Sequence, residues 1–153
     1  MRQGWIVLTA VFMFALSSLV HGQTVEKEAV RVPLENYLKA HATGNAAFAR
    51  KAFHTEGMMI YIKDGKYTSE TFDAFIKRAF TGKPAVDEEK RKDKRTIESI
   101  DISGNAANAK IVLDYPKVTF VDYMTLLRID GEWKIVSKVF YAEPKAAADT
   151  KKQ

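Results

Sequence analysis

Val118-Thr119-Phe120-Val121-Asp122-Tyr123-Met124-Thr125-Leu126-Leu127-Arg128-Ile129-Asp130-Gly131-Glu132-Trp133-Lys134-Ile135-Val136 is the stretch that decides the fold. Val118 to Ile129 is rich in β-branched and aromatic residues and reads as a long strand. Asp130-Gly131 is a tight-turn signal, and Trp133 to Tyr141 returns as a second strand. Along the first strand the even positions Val118, Phe120, Asp122, Met124, Leu126 and Arg128 share one face, and that face is apolar except at Asp122 and its last position. The odd positions, among them Thr119, Val121, Tyr123 and Leu127, are mixed.

Working upstream, Ala107 to Tyr115 and Arg95 to Ser103 also read as strands, separated by Gly104-Asn105, with Pro116 as the break before Val118. The C-terminal half is therefore an antiparallel meander. Gly57 to Lys63 reads as an earlier strand, turning at Asp64-Gly65 into Lys66-Tyr67-Thr68. Between this hairpin and the meander, Phe72, Phe75, Ile76, Ala79 and Phe80 recur with helical spacing, with Ser69 as the expected cap and Gly82-Lys83-Pro84 as the stop. Two further helices are expected first. Ala29, Val30, Leu34, Tyr37, Leu38 and His41 give one face of a helix from Val25 to His41, in which Pro33 either kinks the helix or occupies the first turn of a shorter one starting near Val32. Gly44 then stops it, and Asn45 caps a short helix from Ala46 to about Phe53. Helices early and a strand meander late make an α+β domain.

The first twenty-two residues have the pattern of a secretory signal peptide: Arg2, an apolar run from Trp5 to Val20, and a cleavage point after Gly22. At about 1.5 Å per residue that run reaches roughly 24 Å, short of the ~30 Å of a bilayer core. The expectation is an exported protein, periplasmic or secreted, with no stable membrane anchor after cleavage. Residues 23–142 would form one domain and residues 143–153 a disordered tail. The 153-residue chain has no cysteine, so its stability must come from its core rather than from disulfides. Its formal charge of +5 includes Arg2 of the leader, and the remaining charges are interspersed. The run Glu88 to Arg95 mixes both signs without aromatics, which reads as a solvated loop and argues against a nucleic-acid partner.

The segments Val32 to Gly44, Ala52-Phe53-His54, Gly82-Lys83-Pro84 and Val121 to Val136 resemble the putative lumazine-binding family of the nuclear-transport-factor-two-like, or SnoaL-like, superfamily. The resemblance spans about Val25 to Tyr141. It implies a cone-shaped fold, three N-terminal helices packed on a strongly curved antiparallel sheet, with a pocket between them. The superfamily holds isomerases, cyclases, dehydratases and members without a known reaction, so the fold leaves the chemistry open.

Asp122 is the first candidate for chemistry. On an apolar inward face, desolvation would raise its pKa toward that of a general base, and isomerases of the superfamily use a pocket carboxylate in this way. The alternative is an ion pair with Lys138 on the adjoining strand. His54, at the passage from the second helix to the first strand, is the second catalytic candidate; the alternative is a helix-terminal histidine favoured by the helix dipole. Tyr37, His41, Tyr61, Tyr115, Phe120, Met124, Lys138 and Phe140 are the candidate ligand-binding residues, set against ordinary core packing or, for His41, a capping role. With His21 in the leader, His41 and His54 alone give no metal-ligand spacing, and neither a phosphate loop nor a nucleophile elbow is present. No cofactor is expected. The reading is an exported binder of a small, partly apolar molecule, with a SnoaL-like enzyme using Asp122 as base as the alternative, and a homodimer through Val118, Val121, Tyr123 and Leu127 compatible with either.

Overall fold

The computed structural model describes residues 4–84 and 94–145, with side chains from residue 24 onward. Helix α1 (Gly4–Thr43) is followed by α2 (Ala46–Ala52), β1 (Phe53–Lys63), β2 (Lys66–Thr71), α3 (Phe72–Ala79), β3 (Arg95–Ser103), β4 (Ala106–Asp114), β5 (Val118–Ile129) and β6 (Glu132–Pro144). The expected run Glu88 to Arg95 lies, except for its last two residues, outside the described residues, as does most of the expected tail.

Pro33 lies inside α1, so the shorter helix beginning near Val32 is not what forms. The apolar spacing explains why the chain stays helical there: Val30, Leu34, Tyr37 and Ala40 are all fully buried, and burying such a face outweighs the hydrogen bond a proline removes. Gly44 ends the helix with φ +67°, its N–H bonded to the Ala40 carbonyl at 2.8 Å. Asn45 then caps α2, its side-chain oxygen accepting from the Ala47 N–H. The cap of α3 falls at Thr71 rather than Ser69. Thr71 Oγ1 accepts from the Ala74 N–H, while Ser69 stays in β2 opposite Ile60. Both residues suit a cap; hairpin pairing carries the strand past the first of them. Helix α3 then buries Phe72, Phe75 and Ile76.

The six strands form one sheet in the order β2-β1-β6-β5-β4-β3. The meander β3 to β6 is antiparallel throughout, but β1 runs parallel to β6, so the sheet is mixed rather than wholly antiparallel. The long connection from β1 to β6, through β2, α3 and the strands β3 to β5, makes this parallel joint possible, since parallel neighbours cannot be joined by a tight turn. Asp64-Gly65 and Asp130-Gly131 have positive φ at both residues, as two-residue turns matching the twist of their strands require. Strand β1 begins at Phe53, earlier than the expected Gly57, with an irregularity between Phe53 and Met58. One face of the sheet, carrying Ala107, Ala109, Ile111, Leu113, Met124, Leu126 and Ile135, joins the helices in a single apolar core.

Candidate functional site

Strand alternation turns the even residues of β5 inward, and Asp122 is 0% exposed in the middle of that face. Its cross-strand neighbours are Ile111 on β4 and Phe140 on β6. Lys138, two residues along β6 and therefore on the same face, places Nζ 2.9 Å from Asp122 Oδ2. Tyr37 of α1 closes the cluster from the helix side. Its hydroxyl donates to Asp122 Oδ2 at 2.6 Å and accepts from Lys138 Nζ at 2.6 Å. Asp122 Oδ1 is buried and has no hydrogen-bond partner among the described residues. The ion pair weighed from the sequence is thus present, with a phenol hydrogen-bonded to both members.

Burial pushes the Tyr37 phenol well above its usual range, and the Asp122 carboxylate reinforces the shift, so Tyr37 keeps its proton and acts as a neutral donor. Burial also lowers the Lys138 ammonium from its ordinary value. Asp122 opposes that change, and Arg78 adds to it. The Lys138 head group lies 5.3 Å from the centroid of Phe75 and 5.0 Å from that of Phe140, on the negative faces of both rings. The cluster is therefore a desolvated ammonium held between a carboxylate, a phenol and two aromatic faces.

His41 follows Tyr37 by one helical turn, and the two rings meet edge to face at 4.6 Å. Its Nδ1 is 2.8 Å from the Tyr115 hydroxyl, while Nε2 is buried without a partner among the described residues. Desolvation, then Lys138 and Arg95, hold its pKa well below the ordinary value, so the imidazole is neutral. From this point a run of half-buried rings continues outward: Tyr115 to Phe120 at 5.8 Å, Phe120 to Phe140 at 5.9 Å, and Phe140 to Tyr61 at 4.9 Å. Seven of the eight residues expected to contact a ligand thus adjoin one another through hydrogen bonds or rings. Met124, the eighth, is buried opposite Lys138 in the strand register.

His54 stands apart from this group. It lies in β1 directly after Phe53, the C-cap of α2, and alternation directs it away from the face to which Phe53 contributes. Phe53 packs against Tyr37, whereas His54 Nδ1 accepts from the Glu56 N–H. Neither Phe75, which covers Lys138, nor Arg95, which lies 5.7 Å over the Tyr115 ring, is marked out as a site residue by the sequence. Phe75 sits on the helical stripe, and that stripe alone does not say which residue will touch a buried cation.

Three clefts lined by described residues lie elsewhere, with volumes of about 600, 470 and 270 Å³. The largest lies between Glu26 and Lys27 of α1 and the β3–β4 turn; the second, between α1 and the β5–β6 turn; the third, along the outer sheet face near Tyr123 and Val139. Asp122 lines none of the three. Among the described residues no group of His, Cys, Asp or Glu is arranged to hold a metal, and no helix is long and apolar enough to cross a membrane.

The chain is 27% identical over 131 residues to the aldolase FrzH of a Cladobotryum species, covering 82% of this chain and 98% of that one. An NTF2-like protein of unknown function from Shewanella baltica OS155 superposes with a TM-score of 0.71 at 26% identity, over 80% of this chain and 97% of that one. A second NTF2-like protein of unknown function, from Silicibacter pomeroyi DSS-3, gives 0.67 at 23% identity, over 79% and 98%. With residues 25–141 matching its pattern, the chain belongs to the putative lumazine-binding family, within the NTF2-like superfamily.

Proposed function

We propose that the protein binds a small, partly apolar molecule between its helices and sheet. The ligand's flat apolar part lies along Tyr61, Phe140, Phe120 and Tyr115, and its polar end is directed at the Tyr37–Asp122–Lys138 cluster and His41. The observation that carries this reading is the unbroken run of half-buried rings ending on a buried charge pair. Rings supply sequence-tolerant area for stacking, and the few buried polar atoms fix orientation, which is the composition small-molecule sites share. Within the cluster and its helical neighbour, Asp122 Oδ1 and His41 Nε2 are buried atoms with hydrogen-bonding capacity to spare among the described residues. Family membership supports the same reading, and a cone closed by a curved sheet would enclose such a ligand.

Native mass spectrometry of protein purified without denaturation tests it. A retained small molecule is expected, with Phe120→Ala weakening its retention about tenfold, the equivalent of 1.4 kcal/mol. No retained species, together with no thermal shift across a metabolite library, would overturn the reading.

Similarity to a protein called an aldolase, together with the spare Oδ1 of Asp122, favours a second reading: an enzyme of isomerase, cyclase or dehydratase type with Asp122 as general base. Exchange of the proton next to a ligand carbonyl, followed by NMR in deuterated water, should then vanish in Asp122→Asn at a temperature where that variant is folded. Export, with cleavage after Gly22, belongs to the same proposal; N-terminal sequencing of protein from periplasm or medium should start at Gln23. On the outer sheet face Tyr123 is 56% and Tyr141 63% exposed, with Val139 and Leu127 beside them, which supports pairing of two copies through the sheet. Light scattering at about twice the monomer mass is the expected result.

A further inference from the structure

We propose that Lys138 is a covalent carbonyl-capture residue, whose ε-amino group forms an imine with an aldehyde or ketone seated against the ring wall. This rests on the binding reading above and specifies the chemical class of the ligand. The geometry carries it. Nζ of Lys138 sits at the inner end of the wall, 5.0 Å from the Phe140 centroid, and the partly exposed Phe140 is the ring that a ligand packed on Phe120 and Tyr61 would also touch. Around the same nitrogen stand a carboxylate oxygen at 2.9 Å, able to accept a proton, and a phenol oxygen at 2.6 Å, able to pass one. A lysine becomes a nucleophile when desolvation makes its amine accessible near neutral pH. Lys138, 4% exposed, is desolvated and has a lowered pKa; Asp122 opposes the change, Arg78 adds to it, and Tyr37 and the neutral His41 face the same space.

The step balances without an external oxidant or reductant. Lys138 gives one ammonium proton to Asp122 Oδ2, and the amine lone pair attacks the carbonyl carbon. A C–N bond forms as the C=O π bond breaks, and the oxygen takes a proton from Tyr37, which is resupplied through Asp122. Loss of that oxygen as water, with a second proton from the nitrogen, leaves a C=N bond. Protonated at nitrogen, this iminium replaces the ammonium as the cation facing Asp122. The buried charge count is therefore the same before and after. An apolar pair of the same shape would provide packing but none of these proton transfers.

The test uses the full folded chain, propionaldehyde and sodium cyanoborohydride at neutral pH, with peptide mapping by mass spectrometry. Lys138 should be reductively alkylated several-fold faster than the exposed Lys63 and Lys66, because desolvation favours its free amine and Tyr37 and Asp122 stand ready to move the protons. Tyr37→Phe should slow labelling at Lys138 while leaving Lys63 and Lys66 unchanged. Unlabelled Lys138 under conditions that label Lys63 and Lys66 overturns the proposal. If native mass spectrometry still shows a molecule whose retention Phe120→Ala weakens, the binding reading survives that failure; if it shows none, both fall.

Discussion

Asp122 and Lys138 are both buried, with Oδ2 and Nζ 2.9 Å apart. Each satisfies the other, and removing one leaves the other charged in an apolar interior, which costs about 3–5 kcal/mol. Asp122→Asn should lower unfolding free energy by that amount in urea titrations. The triple replacement Tyr37→Phe, Asp122→Leu, Lys138→Met should recover most of the loss, because all the polar atoms of the cluster go together. A single variant as stable as wild type would mean the pair contributes no more than a surface bridge. His41 gives a second prediction. Its folded pKa lies well below 6.5, so on acidification the unfolded chain takes up the proton first and stability falls. The protein should hold its stability above pH 6.5 and lose it below, by at most about 1.4 kcal/mol per pH unit, in denaturation curves recorded over that range. His41→Gln should flatten this slope. Asp73, held low chiefly by its hydrogen bond to Lys77, and Asp114, held low chiefly by Lys145, act only as pH falls below the ordinary carboxylate value of 3.8.

Gly44 shows what a single position contributes to the joining of elements. It turns the chain from α1 into α2 at φ +67°, and its carbonyl accepts the Gly82 N–H at 2.8 Å, so the end of α1 and the segment after α3 are tied together. A Cβ at this position would lie 1.9 Å from the Lys83 carbonyl oxygen. Gly44→Ala should therefore cost more than the roughly 1–2 kcal/mol of left-handed backbone alone. Gly65, at φ +74° in the β1–β2 turn, has nothing within 4 Å of its Cβ position, and Gly65→Asn should cost less than about 1 kcal/mol. Thermal or chemical denaturation of the two variants side by side checks the contrast; equal losses would show that the packing against Lys83 does not matter.

Across the whole molecule, Glu26 ties the first helix to the far end of the chain. Its carboxylate accepts from Trp133 Nε1 at 2.9 Å and from Arg128 at 3.1 Å, pinning α1 to the β5–β6 hairpin more than a hundred residues along the chain. Val30, one turn further, is fully buried. A chain beginning at Gln23 should unfold in a single transition with the stability of the full sequence. One beginning at Arg31 loses both the clamp and part of the core, and should be less stable by several kcal/mol. Equal midpoints for the two in guanidinium would show that the segment before Arg31 is dispensable. The family match beginning at residue 25 coincides with this anchor.

Local periodicity and turn chemistry determined the elements. The two-residue signals at Asp64-Gly65 and Asp130-Gly131, the Gly44 stop with its Asn45 cap, and the limits of β3 and β5 all follow from backbone preferences acting over a few residues. The inward face of β5, with Asp122 at its centre, was equally legible, because side-chain alternation is a property of the strand itself. Long-range packing decided the rest. The passage of α1 through Pro33, the parallel seating of β1 on β6, the choice of Thr71 over Ser69 as a cap, and the outward turn of His54 each depend on what lies across the core. So does the meeting of Tyr37, Asp122 and Lys138, residues from one helix and two strands brought within hydrogen-bond distance. Spacing along the chain carries no record of that distance; it exists only once the helix is laid on the sheet.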